Sequence, residues 1–301
     1  MFNKVIPLSK RLKNEKNRRE RVVRPPRRRV PRPPGRPSPL TLFLAWCVHI
    51  YTGLGLVIAA TIAVLLVQGG PGAFRWSFIL MAAATFIDGT DGTLARKIRV
   101  KEVVPNFDGR KLDDITDFLT YTFLPLLLIW RANLLPPGME WCLLLPLLAS
   151  AYGFCQCAAK TDDGYFLGFP SLWNIVAFYL YVLPPGPWIA LGLVVVLALL
   201  TFVPSRYLYP SQPGKLNVVH NVLVVGWALM CAWVLWGLPA HDLIRGPEGR
   251  GAVRVVTQAS LFYPAFYMGA SWAVSVVFWV RNHARGTRAG AEVIDPTTVA
   301  G

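Results

Sequence analysis

Apolar residues gather into eight runs along the chain, at 41–67, 76–95, 114–135, 139–159, 170–184, 187–204, 217–238 and 258–280. Crossing a bilayer takes about 20 apolar residues as a helix, and seven of the runs approach or exceed that length. The run at 170–184 is shorter and aromatic. Turn-forming clusters separate the runs: Gly69-Gly70-Pro71-Gly72, Pro136-Pro137-Gly138, Pro184-Pro185-Gly186-Pro187 and Pro210-Ser211-Gln212-Pro213-Gly214. The pattern predicts an all-α integral membrane protein with about eight transmembrane helices. The first run, starting at Leu40, is too long for a cleaved signal peptide and is expected to remain as a helix.

Composition agrees with a bilayer as solvent, since 54% of the 301 residues are hydrophobic and 16% are charged. The net charge of +15 changes the picture only at one end. Residues 1–39 hold 14 of the 31 Lys and Arg against Glu15 and Glu20, together with eight prolines, which leaves the rest of the chain nearly neutral. This segment has too little apolar surface to offset chain ordering and reads as a disordered, basic, Pro-rich cytoplasmic tail. Attraction to anionic lipid head groups explains its charge, as does a solvated tail that fixes topology; no nucleic-acid partner is expected. Residues 40–281 form the expected transmembrane domain and 282–301 a cytoplasmic C-terminal tail. Basic residues Arg96, Lys97, Arg99, Lys101, Arg110 and Lys111 crowd the loop after the second run, while the flanking loops offer Arg75 and Arg131. This bias puts both termini in the cytoplasm, with Arg245, Arg250 and Arg254 as the exception. The five cysteines fall in apolar runs and are expected to be buried thiols.

Candidate chemistry lies in the carboxylates. The chain has 16 acidic residues, and Asp88, Asp91, Asp108, Asp113, Asp114 and Asp117 fall within 30 positions at the ends of two runs. Ionisable groups at membrane depth are costly and mark function by default. Asp88 and Asp91 stand at i and i+3, Asp113 and Asp117 at i and i+4, so each pair shares a helix face. Two such faces converge four anions, which need a cation; oxygen-only ligands favour Mg²⁺ or Mn²⁺. Gly92 and Ala95 would let a nucleotide or a neighbouring backbone approach, and Arg96 offers a fork to a phosphate. The alternatives are a helix-end cluster ion-paired with Arg96, Arg110 and Lys111, and a non-enzymatic cation carrier.

The pattern Asp88-Gly-Thr-Asp91-Gly92-Thr-Leu-Ala95-Arg96, followed by Gly109-Arg-Lys-Leu-Asp113-Asp-Ile-Thr-Asp117, resembles the signature of the CDP-alcohol phosphatidyltransferases. The commoner signature has eight residues between the Arg and the second Gly. Here there are twelve, Lys97 to Asp108, a spacing similar to that of the bacterial phosphatidylcholine synthases. The stretches Ala45–Thr52, Val100–Asp108 and Gly164–Asn174 are similar to that subfamily too. The resemblance implies two divalent ions, Mn²⁺ or Mg²⁺, on Asp88, Asp91, Asp113 and Asp117, with Asp117 as general base. It implies a CDP pocket at Asp88, Gly92, Ala95, Arg96 and Gly109, with CDP-diacylglycerol and choline as substrates and CMP as a product. It also implies a bacterial inner membrane location with the site facing the cytoplasm; a homodimer is compatible with it. Other acceptors within the same chemistry are glycerol phosphate, serine and inositol phosphate.

A quaternary ammonium is held by aromatic faces. Phe118, Tyr121, Tyr152, Tyr165, Trp173, Tyr207 and Tyr209 are the candidates for choline, with interfacial anchoring as the other explanation. Asp162 and Asp163 would add charge attraction, and Arg206 and Lys215 would hold a diphosphate or lipid head group. His49 and His220 are expected to be hydrogen-bonded inside the bundle.

Overall fold

The computed structural model describes residues 37–156, 165–208, 215–237 and 251–292. The basic tail up to Arg36, Cys157, Asp162, Asp163, Tyr209, the 238–250 loop with Arg245 and Arg250, and residues 293–301 lie outside the described residues, as does the side chain of Lys215.

Helices follow the apolar runs: α1 (Pro39–Gln68), α2 (Pro71–Ile98), a single turn α3 (Val100–Val103), α4 (Gly109–Asp117), α5 (Leu124–Arg131), α6 (Leu144–Cys155), α7 (Trp173–Val182), α8 (Pro187–Leu200), α9 (Lys215–Gly237), α10 (Gly251–Ser260) and α11 (Phe262–Glu292). Pro71 and Pro187 open α2 and α8, where a missing N–H costs nothing. Three helical segments, Pro39–Gln68, Val218–Trp236 and Val255–His283, are long and apolar enough to cross a bilayer, and the chain is a membrane protein. The apolar helices Glu140–Cys155, Trp173–Val182 and Pro187–Leu200 are shorter, so helix lengths do not yield the expected eight spans directly. α7 is stopped after ten residues as the chain enters Pro184-Pro185-Gly186.

Two departures from a regular bundle bear on the site. Between α4 and α5 the helix widens into a π-helical stretch, Phe118–Phe123, directly after Asp117. The expectation of a purely α-helical chain also needs correction, because Tyr165–Leu167 (β1) and Arg206–Leu208 (β2) pair antiparallel, with Tyr165 opposite Leu208 and Leu167 opposite Arg206. The outer groups of β2 are satisfied by α11: the amides of Arg206 and Leu208 donate to Ser275 Oγ at 2.6 Å and Ser271 Oγ at 3.2 Å. Gly168, at φ 81°, follows β1 so closely against the Thr201 carbonyl that no Cβ would fit.

The core runs between α1, α2, α5, α7 and α8, around Ile62, Leu66, Phe78, Leu128, Ile129, Trp173, Val182 and Val194. Arg75 and Arg131, the few basic residues of the loops flanking the basic one, each cap another helix. Arg131 donates to the carbonyls of Leu66 (2.9 Å) and Val67 (3.2 Å) at the end of α1, and Arg75 to those of Leu235 (2.6 Å) and Trp236 (2.9 Å) at the end of α9. Cations at helix C-termini satisfy the last carbonyls and complement the helix dipole. The expectation of buried thiols needs correction: Cys47 and Cys155 are exposed on the protein surface, and Cys142 and Cys231 are half-buried.

Candidate active site

Two helices bring the carboxylates together. α2 carries Asp88 and Asp91 one turn apart, and α4, entered through a turn capped by Asp108, carries Asp113. The Asp108 side chain accepts hydrogen bonds from the amides of Arg110 and Lys111, which fixes the start of α4. Asp88, Asp91 and Asp113 each present one oxygen, and those oxygens lie within 4.8 Å of one another. Asp91 is buried and the other two are half-buried. Three carboxylate oxygens at this spacing form a hard, all-oxygen donor set, which fits a divalent cation of the Mg²⁺ or Mn²⁺ kind. Asp117 stands one turn beyond Asp113, half-buried and within reach of the charges of Asp88, Asp113 and Asp91.

Hydroxyl groups steady the cluster. Thr52 of α1 donates to Asp91 Oδ2 at 2.7 Å, and Tyr121 of the π-helical stretch donates to Asp88 Oδ2 at 2.8 Å. One turn of α2 is also tied to α1 by the hydrogen bond between the Tyr51 and Thr90 hydroxyls, 2.8 Å. Each donor stabilises the ionised carboxylate and fixes its rotamer. Sequence reasoning missed Thr52 altogether and treated Tyr121 as an aromatic face. The signal for Thr52 was present, since it closes the Ala45–Thr52 stretch, but its partner lies 39 residues away.

The residues expected around a nucleotide line the same edge. Gly92 and Ala95 are half-buried on α2, and the exposed Arg96 donates to Thr93 Oγ1 at 3.1 Å. An added Cβ on Gly92 would lie 3.3 Å from Arg96 Nη1, so the glycine leaves room for that guanidinium. Gly109 opens α4 against His49 of α1.

The aromatic candidates for choline fall into two sets. Phe118 and Tyr121 are half-buried in the π-helical stretch beside the carboxylates, and Phe118 meets Phe154 edge-on at 5.7 Å. The rest are engaged elsewhere. Trp173 is fully buried and donates to Ser150 Oγ at 2.8 Å, Tyr207 is fully buried between Phe169 and Tyr267, and Tyr152 packs on Phe202 at 5.1 Å. Tyr165 faces an internal cation, the Arg206 guanidinium, 5.5 Å from its ring centre. Arg206 itself lies 3.4 Å from the ring centre of Phe278. His49 and His220 are buried as expected, but not through hydrogen bonds: His49 Nε2 and both nitrogens of His220 have no hydrogen-bond partner among the described residues. His49 meets Phe107 at a tilt with ring centres 4.3 Å apart, and His220 faces the rings of Tyr263 and Tyr267.

Residues 47–204, just over half of the chain, match the family model of the CDP-alcohol phosphatidyltransferases. The chain belongs to that family. All of the clustered carboxylates fall inside the matched stretch of this phosphatidyltransferase. Similar relatives are a phosphatidylcholine synthase from Pseudomonas aeruginosa, 37% identical over 204 residues that cover 67% of this chain and 84% of the relative, and one from Legionella pneumophila, 34% identical over 244 residues that cover 78% and 91%. A phosphatidylcholine synthase from Legionella bozemanae is 40% identical over 173 residues, 55% of this chain and 80% of its own length.

Proposed function

We propose that this phosphatidyltransferase is a phosphatidylcholine synthase, which transfers the phosphatidyl group of CDP-diacylglycerol to choline and releases CMP. The observation that carries the chemistry is the convergence of Asp88, Asp91 and Asp113 oxygens within 4.8 Å at the end of two helices. The acceptor rests on relatives of that name from several bacteria and on the twelve-residue linker between Arg96 and Gly109.

In this reading Asp88, Asp91, Asp113 and Asp117 hold two divalent ions, Mn²⁺ or Mg²⁺, which supply charge neutralisation to the diphosphate. Gly92, Ala95 and Gly109 leave space for the CDP moiety, and Arg96 turns from Thr93 to a phosphate oxygen. The choline hydroxyl gives its proton to Asp117, its oxygen forms a bond to the lipid-bearing phosphorus, and the bond from that phosphorus to CMP breaks. Asp117 is suited to the step because it stands outside the close trio yet within reach of it. Of the aromatic candidates, Tyr121 and Phe118 fall to the ammonium, since both sit on the helical stretch that begins at Asp117. We further infer an inner membrane protein of eight spans, with the basic tail, both termini and the site on the cytoplasmic side.

The test is an acceptor competition. Purified protein given CDP-diacylglycerol, labelled choline and Mn²⁺ is expected to form phosphatidylcholine and CMP in equal amounts. Preferential turnover of glycerol phosphate, serine or inositol phosphate would reassign the head group.

A further inference from the structure

The stretch Ala45–Thr52 contributes only Thr52 to the chemistry described so far. His49, one turn before it, is 7% exposed and packed on three sides. Phe107 covers one face with ring centres 4.3 Å apart, and Trp46 lies edge-on at 5.7 Å. The third side is the backbone at the start of α4: a Cβ on Gly109 would stand 2.8 Å from His49 Cε1 and 3.0 Å from Nδ1. Gly109 therefore leaves room for an imidazole as well as for a nucleotide. Cε1 and Nδ1 are the ring atoms that face α4, so the contact is one of shape, and Nε2 has no hydrogen-bond partner among the described residues.

This contact matters because of what lies one turn to either side. Thr52, one turn along α1, holds Asp91 of α2. Asp113, one turn along α4 from Gly109, supplies the carboxylate that must meet Asp88 and Asp91. α1 is thus the common reference for both acid-bearing helices. The linker adds to the same seam, since Val100 and Val104 pack on Ala45 and Val48 and deliver Phe107 onto His49. The linker's length and the histidine belong to one device.

We propose that His49 is a positioning residue, whose ring fills the space left by Gly109, sets the spacing of α1 and α4, and so holds Asp113 where it shares a cation with Asp88 and Asp91. The proposal rests on the reading of those carboxylates as a metal site, but not on the identity of the acceptor.

A size swap tests it. Gly109→Ala is expected to push α4 from α1, weaken Mn²⁺ binding roughly 10-fold and lower kcat about 100-fold, the scale of an ångström-sized misplacement. His49→Ala leaves a void and is expected to weaken Mn²⁺ binding roughly 10-fold, read by the electron paramagnetic resonance of free Mn²⁺ without nucleotide or choline. In the double variant the new methyl enters part of the vacated space without a clash. Mn²⁺ affinity should then return to within about threefold of wild type, because neighbours in contact are non-additive. A double variant that binds Mn²⁺ no better than Gly109→Ala alone would overturn the proposal. If Gly109→Ala does not fold, recovery of folded, Mn²⁺-binding protein in the double variant supports it, and a double variant that also fails to fold overturns it. A His49→Ala variant with wild-type Mn²⁺ affinity also overturns it. Failure of wild-type protein to use choline would leave these binding results untouched, so the two readings fail separately.

Discussion

The hydroxyl of Tyr121 offers a perturbation of one atom. It donates to Asp88 Oδ2 at 2.8 Å, and Tyr121→Phe removes the donor while keeping the ring. A hydrogen bond to a charged group contributes about 1.5–3 kcal/mol. With about 1.4 kcal/mol per tenfold, the full loss corresponds to roughly 10- to 100-fold in cation affinity, the range seen when an outer partner of a metal ligand is removed. Asp88 is only half-buried, so water can replace part of the lost bond, and the expected effect is at the lower end, about 10-fold. The assay is a Mn²⁺ titration by electron paramagnetic resonance, paired with the Mn²⁺ dependence of turnover and KM for choline. Tyr121→Phe should raise the Mn²⁺ dissociation constant and leave choline KM within about twofold, since the aromatic face persists. Tyr121→Leu should weaken both. Unchanged Mn²⁺ affinity in Tyr121→Phe, or a rise confined to choline KM, would refute the role of this hydroxyl.

Further outcomes separate the proton step from the scaffold. Asp117→Asn should lower turnover by about 10²- to 10⁴-fold, the contribution of a general base, while the trio still binds Mn²⁺; a near-normal rate would remove Asp117 from that role. Arg131→Ala, far from the carboxylates, loses two donors to the end of α1 and should cost about 1–3 kcal/mol of stability. A lowered melting temperature in detergent with unchanged turnover at low temperature is the expected pair of readings, and an unchanged melting temperature would contradict the capping role.

What the sequence made legible follows from the range of the interactions. Asp88 with Asp91, and Asp113 with Asp117, could be read because helical spacing puts each pair on one face, whereas the meeting of the two faces was an expectation that spacing alone does not fix. Thr52 and Tyr121 reach their carboxylates across 39 and 33 residues, and no local pattern announces such contacts. The π-helical stretch is equally silent, as its residues, Phe118–Phe123, are ordinary for an apolar helix. Three-residue strands are too short for an alternating pattern, so β1 and β2 read as loop, although Ser271 and Ser275 on α11 satisfy amides of β2. Arg75 and Arg131 were legible as charges but not as caps, because a charge count carries no partner. Gly109 shows the same limit: the resemblance marked it as part of a CDP pocket, and only the fold reveals His49 against it.

The central claim is that Asp88, Asp91 and Asp113 form a divalent-cation site. Anomalous diffraction at the manganese edge, from crystals grown with Mn²⁺ and CDP-diacylglycerol, tests it most directly. The account predicts two peaks, one bounded by the oxygens of these three residues and the second beside it toward Asp117. An active preparation whose manganese peaks lie elsewhere, or whose three carboxylates are joined by arginine instead, would contradict it.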